Sequence, residues 1–267
     1  MNETCYTEEI LHFDDPIFCT FSTSYVITMH NSSRREQYMR QIREYRPTAR
    51  VVVLHNYGFR ACNKASWVSG TSLDLWHANQ TIASRETGDE PVLILEDDCE
   101  FLPQLREWAA RIEAFLVSDH RVEAYSLGSC PFISLPVDKH HTRMYIGGSA
   151  HAVIYSAVAR KKMVQAGYPP KHAINHDIWL FSSKLRTFMP RVPLAVQTHP
   201  MTANSKEWVV PYFVHAPFIR ALKADSDGTV AYTYLHAFGR AGGLICPFII
   251  IVLLIIMLVV TIVKSRQ

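Results

Sequence analysis

The chain has 267 residues and a formal net charge of +3, with 48% hydrophobic and 19% charged residues. No block of Lys and Arg marks a nucleic-acid-binding surface, so that class of partner is excluded. Six cysteines are spread without a C-x-x-C pair, which excludes a zinc module or a small disulfide scaffold and leaves ordinary buried thiols as the expectation.

Residues 1–24 carry Glu3, Glu8, Glu9, Asp14 and Asp15 and no apolar core of the kind a signal peptide needs. Ser24–Met29 reads as a buried strand, followed by the polar turn His30-Asn31-Ser32-Ser33, which suits a helix start. Arg34–Tyr45 has helical composition, with Tyr38, Ile42 and Tyr45 on one face. Arg50–Leu54 is a second strand, and Val92–Leu95 is a third, met at once by three acids. Val122–Leu127 and His151–Tyr155 read as further strands. Ala157–Ala166 reads as a helix closed by Gly167, and His176–Leu185 as another that ends before Pro190. Strands alternating with helices predict an α/β sheet with parallel strands. After Pro217 the chain reads as a linker, with Asp225, Asp227, Gly228 and Gly239.

From Leu244 to Val263 every residue is apolar except Thr261. At ~1.5 Å per residue such a run spans ~30 Å, the thickness of a bilayer's hydrocarbon core. Lys264 and Arg266 close it, so the expectation is a tail-anchored, single-pass protein of an endomembrane or an envelope. The flanking charges, Arg240 before and Lys264 with Arg266 after, leave the orientation open. Three sequons begin at Asn2, Asn31 and Asn79. The organisation expected is an N-terminal extension (1–21), a catalytic domain (22–216), a linker (217–242), a transmembrane helix (243–263) and a short basic tail (264–267).

The chemistry concentrates at Leu93-Ile94-Leu95-Glu96-Asp97-Asp98. An apolar strand ending in carboxylates delivers them to the carboxyl edge of a sheet, where open α/β folds bind ligands. Three adjacent acids repel one another unless a cation or hydrogen bonds offset the charge. Hard ions such as Mg²⁺ and Mn²⁺ take carboxylate oxygens together with substrate phosphate oxygens. On an extended chain alternate residues face the same way, which predicts Glu96 and Asp98 acting together and Asp97 pointing elsewhere.

The stretch Val92–Phe101 resembles the acidic motif of the family 25 glycosyltransferases, which include bacterial lipopolysaccharide galactosyltransferases and animal collagen galactosyltransferases. Tyr25–Met29 followed by Arg34 and Arg35 is similar to that family's opening strand and arginine-rich turn. Gly147-Gly148-Ser149-Ala150-His151 through Tyr155-Ser156, then His176-Asp177-Ile178-Trp179, then Pro193 to Gln197 follow its later course in order. Thr28-Met29 stands where the family usually has Asn-Leu, and Asp74-Leu75-Trp76-His77 is the nearest equivalent of its Ser-His pair.

The resemblance implies a GT-A fold, a Rossmann-like sheet binding a nucleotide sugar through a divalent metal. Glu96 and Asp98, with His199, would then hold Mn²⁺ or Mg²⁺ against the donor diphosphate. Asp97 would hold the sugar or ribose, and Arg34 and Arg35 would contact the nucleotide. Asp177 would be the general base for the acceptor hydroxyl, the alternative being a helix cap. The function expected is transfer of a galactosyl or glucosyl unit from a UDP-sugar, with inversion, to a glycan, lipid or protein hydroxyl. Two other readings stand beside it. One is a membrane-anchored binding or envelope protein with a degenerate fold, and the other a metal-dependent nucleotidyltransferase or phosphohydrolase.

Overall fold

The computed structural model describes residues 5–166, 185–197 and 228–245. Its frame is a mixed sheet of nine strands in the order β1-β3-β2-β4-β9-β6-β10-β8-β7. The strands are β1 (Tyr6–His12), β2 (Thr23–Met29), β3 (Arg50–Asn56), β4 (Val92–Glu96), β6 (Ala124–Ser126), β7 (Cys130–Pro136), β8 (His141–Gly148), β9 (Ala152–Tyr155) and β10 (Thr187–Pro190). Two short strands, β5 (Cys99–Phe101) and β11 (Ala195–Gln197), pair separately. The helices are α1 (Arg35–Tyr45), α2 (Thr71–Arg85), α3 (Leu105–Ser118), α4 (Ala157–Ala166) and a segment, α5, over 228–245.

Strands β2 and β4 are buried almost throughout because both of their faces are covered. Val26, Leu93 and Leu95 pack into a layer with Tyr38, Met39 and Ile42 of α1 and Leu105, Ala109 and Ile112 of α3. Their neighbours Tyr25, Ile27, Val92 and Ile94 face the opposite layer, with Trp76, Ala78 and Ile82 of α2 and Ala159 and Met163 of α4. Successive side chains on a strand point to opposite faces, so continuous apolar runs are what a doubly covered sheet requires.

The chain passes from β2 through α1 to β3 on one side of β2. It then returns through α2, on the other face, to β4 on the far side of β2. Both β2–β3 and β2–β4 are parallel, as expected, whereas β9 runs antiparallel between β4 and β6. A reversal of winding of this kind opens a crevice at the carboxyl ends of the strands. That crevice lies where β2 and β4 end.

Three readings of the sequence are corrected. Residues 6–12, assigned to an N-terminal extension, form the edge strand β1, paired with β3 from Tyr6↔Asn56 to His12↔Arg50. Phe18 and Phe21 are buried in the core with them. The supposed linker is helical over 228–245, with Ala231 and Tyr232 buried against Leu102, Cys130 and Val196. Gly228 and Gly239, which read as linker residues in the sequence, are buried helix positions that let the backbone approach its neighbours closely. Finally, Cys5 and Cys62 form a disulfide across a separation of 57 residues, too long for any spacing signature. Cys99 and Cys130 are the buried free thiols expected, and Cys19 is an exposed one.

The helix expected over His176–Leu185 lies outside the described residues except for Leu185, and so does the apolar run beyond Ile245. Among the described residues no helix is long and apolar enough to cross a membrane. The sequon at Asn79 sits inside α2, where its buried amide donates to the Leu75 carbonyl at 3.0 Å, a placement that withholds it from glycosylation.

Candidate functional site

A cleft of about 550 Å³ opens at the carboxyl ends of β2, β3 and β4. Its walls are the loop after β2 (Met29 to Arg34), the loop after β3 (Asn56 to Ala61), the start of α2 (Thr71, Asp74, Leu75) and the acidic turn Glu96-Asp97-Asp98. The sequence therefore places its carboxylates where the topology leaves room for a ligand.

Asp97 is held by three donors. Thr28 Oγ1 donates to its Oδ2 at 2.8 Å, Ser32 Oγ to the same oxygen at 2.6 Å, and the Arg34 guanidinium to Oδ1 at 2.8 Å. The same guanidinium nitrogen lies 3.7 Å from Asp98 Oδ2. The expected alternation thus fails after Glu96. The strand ends there and the backbone turns, so Asp97 and Asp98 share Arg34 instead of facing apart.

Asp98 is 7% exposed, and Gln197 Nε2 donates to its Oδ2 at 2.9 Å. Burial pushes its carboxyl up to about 6; the Arg34 charge and the Gln197 bond oppose the shift, and the charge on Asp97 adds to it. Its Oδ1 is buried and has no hydrogen-bond partner. A buried carboxylate oxygen without a donor is costly to keep, and a cation is the partner that would most reduce that cost. Glu96 lines the same cleft, half-buried, with its backbone N–H donating to the His151 carbonyl at 2.9 Å.

The fit to a divalent ion is that of a small hard cation completed by ligand oxygens. Mg²⁺ sites commonly use one or two carboxylates plus substrate phosphates. Asp98 Oδ1 supplies an open acceptor for such an ion, with Glu96 beside it on the cleft wall. Among the described residues no group of three or more His, Cys, Asp or Glu side chains stands ready to enclose a metal by itself. His199, the third ligand expected, and Asp177, the expected base, lie outside the described residues.

Arg34 stands in the cleft, but Arg35 does not line it. Arg35 turns to the edge strand and pairs with Glu9 through bonds of 2.8 and 3.1 Å. The two arginines are adjacent at the start of α1, and helical geometry points them about 100° apart, so only one can reach the acids.

The remaining acid of the cleft, Asp74, is buried against the Lys64 ammonium and accepts from Asn56 Nδ2 and the Phe59 N–H, each at 3.3 Å. Burial lowers the Lys64 pKa even with Asp74 beside it. The pair braces the loop after β3, and the Cys5–Cys62 disulfide ties that loop to the segment entering β1. Sequence reasoning missed Thr28, Ser32 and Gln197 as partners of the acids. Thr28 and Gln197 fall in stretches quoted for the family resemblance, at the opening strand and at Pro193 to Gln197, but nothing in those stretches says which acid each would contact, and Ser32 had only its position past β2.

No family model matches the sequence, and no curated protein matches it either. Among solved structures the chain is similar to A197 from STIV, at 13% identity and a TM-score of 0.42, over 68% of this chain and 87% of that one. It is also similar to a glycosyltransferase involved in the glycosylation of the major capsid of PBCV-1, at 10% identity and a TM-score of 0.41, over 70% of this chain and 97% of that one. Likeness at this level leaves the function to be argued from the cleft itself.

Proposed function

We propose that the protein is a glycosyltransferase that moves a hexose, galactose or glucose, from a UDP-sugar to an acceptor hydroxyl with inversion. The observation that carries this reading is the acidic turn at the winding reversal of the sheet, opening on a ligand-sized cleft with one buried carboxylate oxygen unpartnered. The fold class and the resemblance of Val92–Phe101 to family 25 enzymes support it.

Asp98 and Glu96, with His199, would hold Mn²⁺ or Mg²⁺. When bound, the ion offsets charge on the departing diphosphate. Arg34, held over Asp97 and Asp98 on the cleft wall, would add a positive charge to the stabilisation of that diphosphate. Asp97, fixed by Thr28, Ser32 and Arg34, is a rigid acceptor for a sugar or ribose hydroxyl. Arg35, paired with Glu9, would have to change partner to reach a nucleotide. In the reaction the acceptor oxygen bonds to the anomeric carbon as the bond from that carbon to the phosphate oxygen breaks. UDP leaves, and the acceptor proton passes to Asp177.

The acceptor is a glycan, a lipid or a protein hydroxyl, and the apolar run Leu244–Val263 would hold the domain on an endomembrane or envelope. A two-metal phosphohydrolase is less well supported, because the other cleft acid, Asp74, is already spent on Lys64. The test is release of UDP by the purified full chain from a panel of UDP-sugars, with Mn²⁺, with Mg²⁺ and with chelator. Turnover of UDP-galactose or UDP-glucose that stops in chelator is expected. Absence of both UDP release and UDP binding with every donor would refute the reading.

A further inference from the structure

Helix α5 presents two faces of opposite character. On the inner one, Gly228, Ala231, Tyr232, His236, Gly239 and Gly243 are buried. The glycines bring the helix into backbone contact with the edge strand β7. A Cβ on Gly239 would meet the Pro131 carbonyl oxygen at 2.5 Å, and one on Gly243 the Ser134 oxygen at 1.9 Å. The His236 ring meets the Ser129 carbonyl at 3.1 Å, and Arg240 donates to the Arg191 carbonyl at 2.6 Å. These contacts fix the rotation of the helix about its axis.

The outer face is therefore set, and it is apolar. Tyr234 and Phe238 are each 64% exposed, Leu244 63%, Ile245 54% and Val230 41%. With the exposed Ala241 between Phe238 and Leu244 they recur at three- and four-residue spacing along one face, and no exposed position of α5 carries a charge. Phe132 of β7, 48% exposed, lies beside Gly242 and widens the patch. A contiguous apolar face of this kind marks an interaction surface.

What covers it is indicated by the sequence that follows. The face ends at Leu244 and Ile245, where the uncharged run to Val263 begins. Aromatic side chains next to such a run are characteristic of the membrane–water boundary. We propose that the outer face of α5 lies in the interfacial layer of the membrane, so that the domain rests on the lipid along its β7 edge instead of hanging free from an anchor. The opposite edge, β1, stands eight strand spacings away, about 38 Å at ~4.8 Å each. This rests on the reading of Leu244–Val263 as a membrane segment.

The test uses the full chain reconstituted in phosphatidylcholine vesicles that carry a radiolabelled lipid. The photoreactive p-benzoylphenylalanine replaces Tyr234, Phe238, Ile10 or Ile250 one at a time. Ile10, 47% exposed on β1, is the control far from the proposed contact, and Ile250 reports on the apolar run. Labelled lipid attached at positions 234 and 238 several-fold above position 10 is the expected result. Lipid at position 250 with none at 234 and 238 overturns the interfacial contact and leaves the membrane segment intact. A covalent dimer through 234 or 238 overturns it in favour of a second copy. A crosslink mapped within the same chain overturns it in favour of an internal cover. Failure of the chain to float with the vesicles, with no lipid at 250, removes the membrane reading and the contact together.

Discussion

His236 gives a prediction whose size follows from the structure. Its ring is 2% exposed, Nε2 meets the Ser129 carbonyl at 3.1 Å, and Nδ1 is buried with no partner. The neutral ring therefore donates from Nε2, and protonation would bury a charge close to the Arg240 guanidinium. Burial first, and then the Arg240 charge, lowers the His236 pKa to about 4. An unfolded histidine titrates near 6.5, so between about pH 6.5 and 4 the unfolded chain holds a proton that the folded chain refuses. Stability from this group is fully present above about pH 6.5 and is lost as pH falls toward 4. At about 1.4 kcal/mol per unit the loss approaches ~3 kcal/mol. Substitution His236→Gln keeps a donor for Ser129 and removes the titration. At pH 7.5 the variant should be less stable by about 1 kcal/mol, the worth of a bond remade imperfectly. By pH 4.5 the difference should have reversed sign. Chemical denaturation of both full chains in mild detergent, across that range, measures it, since other groups titrate alike in the two and cancel. A difference independent of pH would refute the argument.

Asp98→Asn retains an acceptor for Gln197 and removes a charge whose folded pKa is raised to about 6, so the wild type loses stability as pH rises from about 4 through 6 and the variant does not. At pH 7.5 denaturation should show the variant equal to or more stable than the wild type by up to ~3 kcal/mol, while calorimetry shows weaker binding of Mn²⁺ and UDP. Replacing Cys5 and Cys62 together with serine frees a loop of 57 residues and should cost about 2–4 kcal/mol in denaturation experiments, with no loss if the thiols are not joined. Asp177→Asn should lower transfer ~10²–10⁴-fold with donor affinity kept if Asp177 is the base, and be near neutral if it is a helix cap.

The central strands and helices α1 and α4 were legible in the sequence because burial on both faces demands largely apolar runs and helix burial demands a 3.6-residue period, whereas α2 and α3 were not read from it. Thr23–Met29, Arg50–Asn56, Val92–Glu96 and Ala157–Ala166 fall within two residues of the boundaries expected. Mixed pairing was not legible, because β9 is apolar on both faces whichever way it runs. The acidic turn was legible as a cluster, but the direction of each carboxylate was not. Alternation holds only while the strand lasts, and the chain turns after Glu96.

By itself the sequence determined the apolar runs of the central strands, where the acids fall along the chain and the place of the uncharged apolar run Leu244–Val263. The tertiary structure alone decided that Arg34 and not Arg35 serves the acids, and that Thr28, Ser32 and Gln197 hold them. It also decided that Cys5 meets Cys62 and that residues 228–245 pack on β7. The contacts that hold the acids, join the two cysteines and pack the helix on β7 lie between segments 57 to 110 residues apart, for example 63 between Arg34 and Asp97 and 107 between Ser129 and His236. Side-chain pattern encodes the environment of a residue, burial above all. The identity of a distant partner is chosen only when the sheet brings the two segments together.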